Sequence, residues 1–250
     1  LARWSDGDGT ELLSEAADCL ADFDGDPAGL VVACRRLLAH HPTVAPLWWL
    51  CSRVLAAGDV SEVAYESWTL IRNDRTAARL AAALPFPHDD PIAVIGWPEV
   101  TADGLADRTD LDVLVVRTQS ADHLSRRLRR SEHAVRVVGE TELLALGPTH
   151  LLVEADASGG QQALVPAGTS QLIRGVHEHG ATVWLIAGMG RVLPERLFEA
   201  LRRAAESDSV EVMPVAAVDR VVGPSGLDSP TGLARRADCP TAPELLRLTG

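Results

Sequence analysis

The residues best placed to do chemistry lie between 150 and 172. His150-Leu151-Leu152-Val153-Glu154-Ala155-Asp156-Ala157-Ser158-Gly159-Gly160 is followed closely by Pro166-Ala167-Gly168-Thr169-Ser170-Gln171-Leu172. An apolar run delivers acidic residues to its end, a glycine loop follows, and a helix then opens among small and hydroxyl-bearing residues. The first turn of that helix, at Gly168, Thr169 and Ser170, offers free backbone N–H groups at the positive end of the helix dipole, which suits a phosphate. Gly159 and Gly160 either let backbone approach a ligand closely or simply turn the chain. Neither GxGxxG nor GxxxxGK followed by Ser or Thr occurs, so the usual nucleotide fingerprints are missing.

Positioning such a loop requires a sheet. Ile92 to Ile95, Val113 to Val116, Ala134 to Val138, Leu151 to Val153 and Val183 to Ile186 are short continuous apolar runs, with Val210 to Val215 expected as a sixth. Strands apolar on both faces belong in a parallel sheet covered by helices. Ala121 to Arg130, Glu140 to Leu146, Pro166 to His179 and Pro194 to Ala205 supply those helices. From Thr10 to about Leu84 the period is helical instead. Leu12, Leu13, Ala16, Ala17 and Leu20 form one stripe. Pro27 opens a second helix ending near His40, Pro42 a third, and Asp59 or Ser61 caps a long fourth running through Leu80. The expected fold is therefore α/β: an N-terminal helical cap over residues 1–84, then a doubly wound, mostly parallel Rossmann-like domain over 85–250. The boundary falls at Pro85-Phe86-Pro87.

In a sheet of this kind ligands gather at the carboxyl ends of the strands. Besides the segment above, that rule selects Gly96 in the loop after the first strand and Arg191 in Gly188-Met189-Gly190-Arg191 after the fifth. The latter is a turn, or a turn that also brings one guanidinium to the cleft. His177 and His179 are two apart on a helix and cannot share a metal as an i, i+4 pair would. Cys19, Cys34, Cys51 and Cys239 have no zinc spacing and read as small buried thiols in a reducing compartment. No metal and no cofactor are expected. Trp48 and Trp49 are adjacent on a helix, so one of the two should meet the second domain or another subunit.

Composition narrows the partners. With 23 basic against 35 acidic residues the net charge is −12, which argues against direct binding to nucleic-acid phosphates. All the cations are arginine; the chain contains no lysine. No stretch is long and apolar enough for a membrane span. Arg3, Asp6, Asp8 and Glu11 occupy the place of a signal peptide's apolar region, so a cytoplasmic location is expected.

Val153-Glu154-Ala155-Asp156, Ala167-Gly168-Thr169-Ser170-Gln171-Leu172 and His177-Glu178-His179-Gly180 together resemble the shared core of the α, β and δ subunits of translation initiation factor 2B and their isomerase relatives. Those relatives convert methylthioribose 1-phosphate or ribose 1,5-bisphosphate from aldose to ketose. Ala237-Asp238-Cys239-Pro240-Thr241-Ala242-Pro243-Glu244-Leu245 is similar to the family's closing segment. The resemblance implies that Asp156 stands where the isomerases keep a catalytic aspartate, and that Gly168 and Thr169 meet a ligand phosphate. It also implies a homo-oligomer, a dimer being expected.

Two departures weigh against turnover. The family's cysteine after the first strand is replaced by Ile95-Gly96-Trp97-Pro98-Glu99, and its Asn-Lys by Val165-Pro166. Moving a proton between adjacent sugar carbons needs an acid or base on each side, and losing one removes roughly 10²- to 10⁴-fold of rate. Glu99 or Asp103, or Cys34 or Cys51 reaching in from the cap, are the only rescues the sequence offers. The expectation is a non-catalytic, regulatory or interaction protein binding a phosphorylated sugar or nucleotide, with a sugar 1-phosphate aldose-ketose isomerase as the alternative.

Overall fold

The computed structural model describes residues 9–85, 91–95, 99–117, 125–126, 128–129, 133–205 and 207–247, with side chains described from residue 11 onward. Five helices come first: α1 (Gly9–Ala21), α2 (Pro27–His40), α3 (Ala45–Leu55), α4 (Val60–Arg72) and α5 (Thr76–Ala83). Their starts follow from local chemistry. Asp26 accepts the Gly29 N–H at 2.9 Å with Pro27 at the first helical position, and Asp59 accepts the Glu62 N–H at 2.8 Å.

Two helical expectations need correction. The third helix opens at Ala45 rather than Pro42. The long fourth helix is two, because Asp74 accepts both the N–H and the hydroxyl of Thr76, at 2.9 and 2.7 Å, and so caps a new helix. That break redirects α5 onto the sheet, where Leu80 and Leu84 pack with Ile92, Val94 and Leu105.

The strands are β1 (Ile92–Ile95), β2 (Asp112–Val116), β3 (Ala134–Val138), β4 (His150–Glu154), β5 (Ala157–Ser158), β6 (Gln162–Pro166), β7 (Thr182–Ile186), β8 (Val210–Pro214), β9 (Arg220–Gly223) and β10 (Gly226–Asp228). The remaining helices are α6 (Glu99–Ala106), α7 (Glu140–Leu146), α8 (Thr169–Glu178) and α9 (Glu195–Ala204). A seven-stranded sheet runs in the order β10-β9-β7-β4-β1-β2-β3, parallel except for the β9–β10 hairpin. The chain thus builds β1, β2, β3 outward in one direction and β4, β7, β9 in the other. β1 and β4 form the switch point, in register from Ile92 opposite His150 to Ile95 opposite Val153.

Side-chain alternation divides the core between the two faces of this sheet. Ala93, Ile95, Leu151 and Val153 pack with Leu143 of α7 and Leu172, Ile173 and Val176 of α8, whereas Val94, Leu152 and Ile186 face α5 and α6. A third core joins α1 to α4 with Leu197, Phe198 and Leu201 of α9 and with Leu245 near the C-terminal end.

Two strand expectations also change. Val210–Pro214 does not extend the parallel sheet; it joins β5 and β6 in a separate antiparallel sheet of order β5-β6-β8. The sixth parallel strand is β9. Pro166 ends β6 rather than opening a helix, which begins at Thr169. The expected helix Ala121 to Arg130 lies largely outside the described residues. No helix among the described residues is long and apolar enough to cross a membrane.

Candidate functional site

Glu154 is the last residue of β4, and strand alternation sends it to the α6 face, where it is 6% exposed. Its carboxylate accepts the N–H groups of Val100 and Thr101 at 3.3 and 2.8 Å and the Thr101 hydroxyl at 2.9 Å. It thereby fills the N-terminus of α6, a position that favours negative charge. Arg191 reaches the same place from the loop after β7. One guanidinium nitrogen donates to the Ala155 carbonyl at 2.9 Å, and another lies 3.1 Å from Glu154 and 3.8 Å from Glu99. The surrounding carboxylates of Glu154, Asp156, Glu99 and Asp74 hold its proton more tightly than usual, against the effect of burial.

Asp156 stands two residues beyond Glu154, past the carboxyl end of β4, with its N–H donating to the Leu164 carbonyl at 2.9 Å. Burial pushes its carboxyl up to about 6; Arg191 pulls it down, while Glu154 and Glu99 push it further up. At neutral pH it is therefore an ionised group of unusually high proton affinity, the kind of carboxyl suited to exchanging a proton.

Two of the three N–H groups expected to meet a phosphate are bonded within the chain. Those of Gly168 and Ser170 donate to the carboxylate of Glu211 on β8, at 3.0 and 2.6 Å. Although burial opposes ionisation of Glu211, bonds from the Ser170 amide and hydroxyl and the Gly168 amide, with Arg174 nearby, hold its carboxyl below the ordinary range. The Thr169 hydroxyl is buried and donates to the Pro166 carbonyl at 2.6 Å. Gly160 N–H donates to Glu195 at 3.0 Å, and Gly159 N–H to the Gln162 carbonyl at 2.9 Å within the β5–β6 hairpin. A Cβ on Gly159 would lie 2.7 Å from the Glu195 carboxylate and 3.0 Å from the Phe198 ring, so the packing there is close.

The structure brings Asp156, Arg191 and Glu99 together at the switch point. Asp103 is exposed on α6, and Cys34 and Cys51 are buried in the helical core. Cys19 is exposed, contrary to its reading as a buried thiol, whereas Cys239 is buried. Gly96 lies outside the described residues. Both tryptophans are buried. Trp48 N–H donates to the Pro42 carbonyl at 3.0 Å, and Trp49 reaches the C-terminal segment, donating to Asp238 at 2.6 Å. Among the described residues no group of three or more His, Cys, Asp and Glu is arranged to hold a metal ion.

Glu154, Glu195, Glu211 and Asp74 were not singled out as functional from the sequence. For Glu195 a signal existed, since it follows Pro194 at a helix start. Glu211 lay in Val210-Glu211-Val212-Met213, an alternating pattern that assigns it a face but no partner.

The sequence matches no family model and no curated protein. Solved structures do match. Translation initiation factor eIF-2B from Pyrococcus horikoshii OT3 superposes with a TM-score of 0.74 at 14% identity, covering 91% of this chain and 94% of that one. The tetrameric eIF2B-β2-δ2 complex from C. thermophilum gives 0.69 at 15%, covering 92% and 89%. 5-Methylthioribose 1-phosphate isomerase from Pyrococcus horikoshii OT3 gives 0.55 at 12%, covering 90% and 86%. At these identities the likeness is one of architecture: the chain has the fold shared by eIF2B subunits and methylthioribose-1-phosphate isomerase.

Proposed function

We propose that this chain is a non-catalytic eIF2B-like protein, oligomeric as the C. thermophilum complex is and cytoplasmic, whose cleft binds a phosphorylated sugar or nucleotide in a regulatory role. One observation carries the non-catalytic part. Aldose-ketose isomerisation needs two groups exchanging protons near neutrality, yet among the described residues the cleft supplies one carboxyl of raised proton affinity, Asp156, and neither thiol nor ammonium beside it. For the ligand, a phosphate would replace the Glu211 carboxylate on the amides of Gly168 and Ser170, one anion exchanging for another. Self-occupation of that kind makes binding weak, and suits sensing better than turnover.

A second reading, isomerisation of a sugar 1-phosphate, draws its support from Asp156 itself, because a carboxyl titrating at about 6 is tuned for general acid-base work. Thermal unfolding with pentose phosphates and nucleoside monophosphates, followed by carbonyl analysis of every mixture that shifts, separates the two. A ligand at a hundredfold its Kd adds about 2.7 kcal/mol, seen as a rise of several degrees. The expected outcome is a rise without ketose, larger in Glu211→Gln. Ketose that disappears in Asp156→Asn establishes the isomerase. If no phosphorylated compound shifts either protein, the binding reading fails.

A further inference from the structure

Arg191 sits on a turn that the helical layer grips. The N–H of Met189 donates to Asp74 Oδ2 at 2.9 Å, while Asp74 Oδ1 is engaged by Thr76 at the start of α5. A Cβ on Gly188 would lie 2.8 Å from Asp74 Oδ2 and 3.3 Å from Val100 on α6. Gly190, at φ +73°, lies against Pro46 and Trp49 of α3, a Cβ there falling 3.2 Å from the Pro46 Cα. Past the turn, the Arg191 carbonyl accepts the Ser158 N–H at 2.7 Å, and the guanidinium spans the Ala155 carbonyl and Glu154. The turn is thus pinned at both ends, and Asp74 is the one side chain of the helical layer bonded to its backbone among the described residues.

We infer that Asp74 is a positioning residue for the cleft: by holding the Gly188–Arg191 turn, it keeps the guanidinium against the end of β4, where it faces Asp156. The inference rests on Asp156 being the group that meets the ligand, but its test needs no ligand. Arg191, Glu154 and Glu99 are the charged groups facing Asp156, and only Arg191 favours its ionised form. If the turn slackens, Asp156 loses that attraction and titrates at higher pH.

The experiment is a carboxyl ¹³C NMR titration of Asp156, its signal assigned from its loss in Asp156→Asn. Asp74→Asn retains one acceptor oxygen, which the two Thr76 donors can keep, and presents an amide where Met189 needs an acceptor. It should move the Asp156 midpoint upward, in the direction taken by Arg191→Gln, which removes the charge outright and shifts it by about one unit. Thr76→Val removes the hydroxyl bond to Asp74 Oδ1 but leaves the Oδ2 bond to Met189, so it lowers the melting temperature and moves the midpoint less than Asp74→Asn does. An Asp74→Asn midpoint equal to wild type, with only the melting temperature lowered, reduces Asp74 to a helix cap and overturns the inference. A normal Asp74 response in a protein that no phosphorylated compound stabilises would instead reject the ligand reading and leave the positioning role standing.

Discussion

Keeping Asp156 where it is costs stability at neutral pH. The folded chain holds that proton up to about pH 6, whereas an unfolded aspartate releases it near its ordinary value. Between the two the folded state carries more protons, so stability falls as pH rises through this window. Asp156→Asn should therefore stabilise the protein at pH 8 by on the order of 2 to 3 kcal/mol and change little at pH 4, as melting curves at the two pH values would reveal. An equal effect at both would mean that packing, not ionisation, is responsible. Glu211 has the opposite sign. Its carboxyl is held below the ordinary range, so its contribution is present above that range and is lost as pH falls through the depressed folded value.

Among the elements, two turns show how much glycine is asked to do. Gly168 and Gly190 both have positive φ, +88° and +73°, but a Cβ on Gly168 meets nothing within 4 Å, whereas one on Gly190 lies 3.2 Å from the Pro46 Cα. Gly168→Ala should cost about 1 kcal/mol, the left-handed backbone term alone. Gly190→Ala adds displacement of α3 from the turn and should cost at least twice that; equal losses in chemical denaturation would show that the contact with Pro46 is loose. The same elements explain what was legible beforehand. Glu140–Leu146 and the four-residue β1 were readable because periodicity and an apolar run fix them locally. The break at Asp74 was not, since the apolar period continues across it and only a side-chain bond to Thr76 interrupts the helix. Nor was the placement of Val210–Pro214: its alternation promises a strand but not which sheet, and β6 offered the open edge. Asp156 and Arg191 were selected by the rule that ligands gather at strand ends, and the structure brings the two charges together. Their neighbours Glu154 and Asp74 needed three-dimensional pairing, which no spacing encodes.

For the molecule as a whole, the helical layer and the sheet are not separable bodies. One core runs from Leu12 and Leu38 through Trp48 and Trp49 to Phe198 of α9 and on to Leu245. The C-terminal segment ties the same elements down. Asp238 accepts from Trp49, Ser52 donates to the Pro240 carbonyl and accepts the Ala242 N–H, and Arg35 donates to the Glu244 carbonyl at 2.9 Å. α5 meanwhile belongs to the sheet's own core. A protein of 250 residues often unfolds in stages when its parts have separate interiors, but here the interior of α1 to α4 is completed by α9 and Leu245, and one face of the sheet is covered by α5. Unfolding in urea should therefore be a single transition, with far-UV circular dichroism coincident with the fluorescence of the six tryptophans, which include Trp48 and Trp49 of α3 and Trp184 of β7. Leu245→Ala, which opens a cavity at a residue with no exposed surface, should cost about 2 to 4 kcal/mol and move both signals together. If the helical signal alone moved, the C-terminal segment would be a strap on an independent cap, and the grip of the helices on the Arg191 turn would loosen without unfolding the sheet.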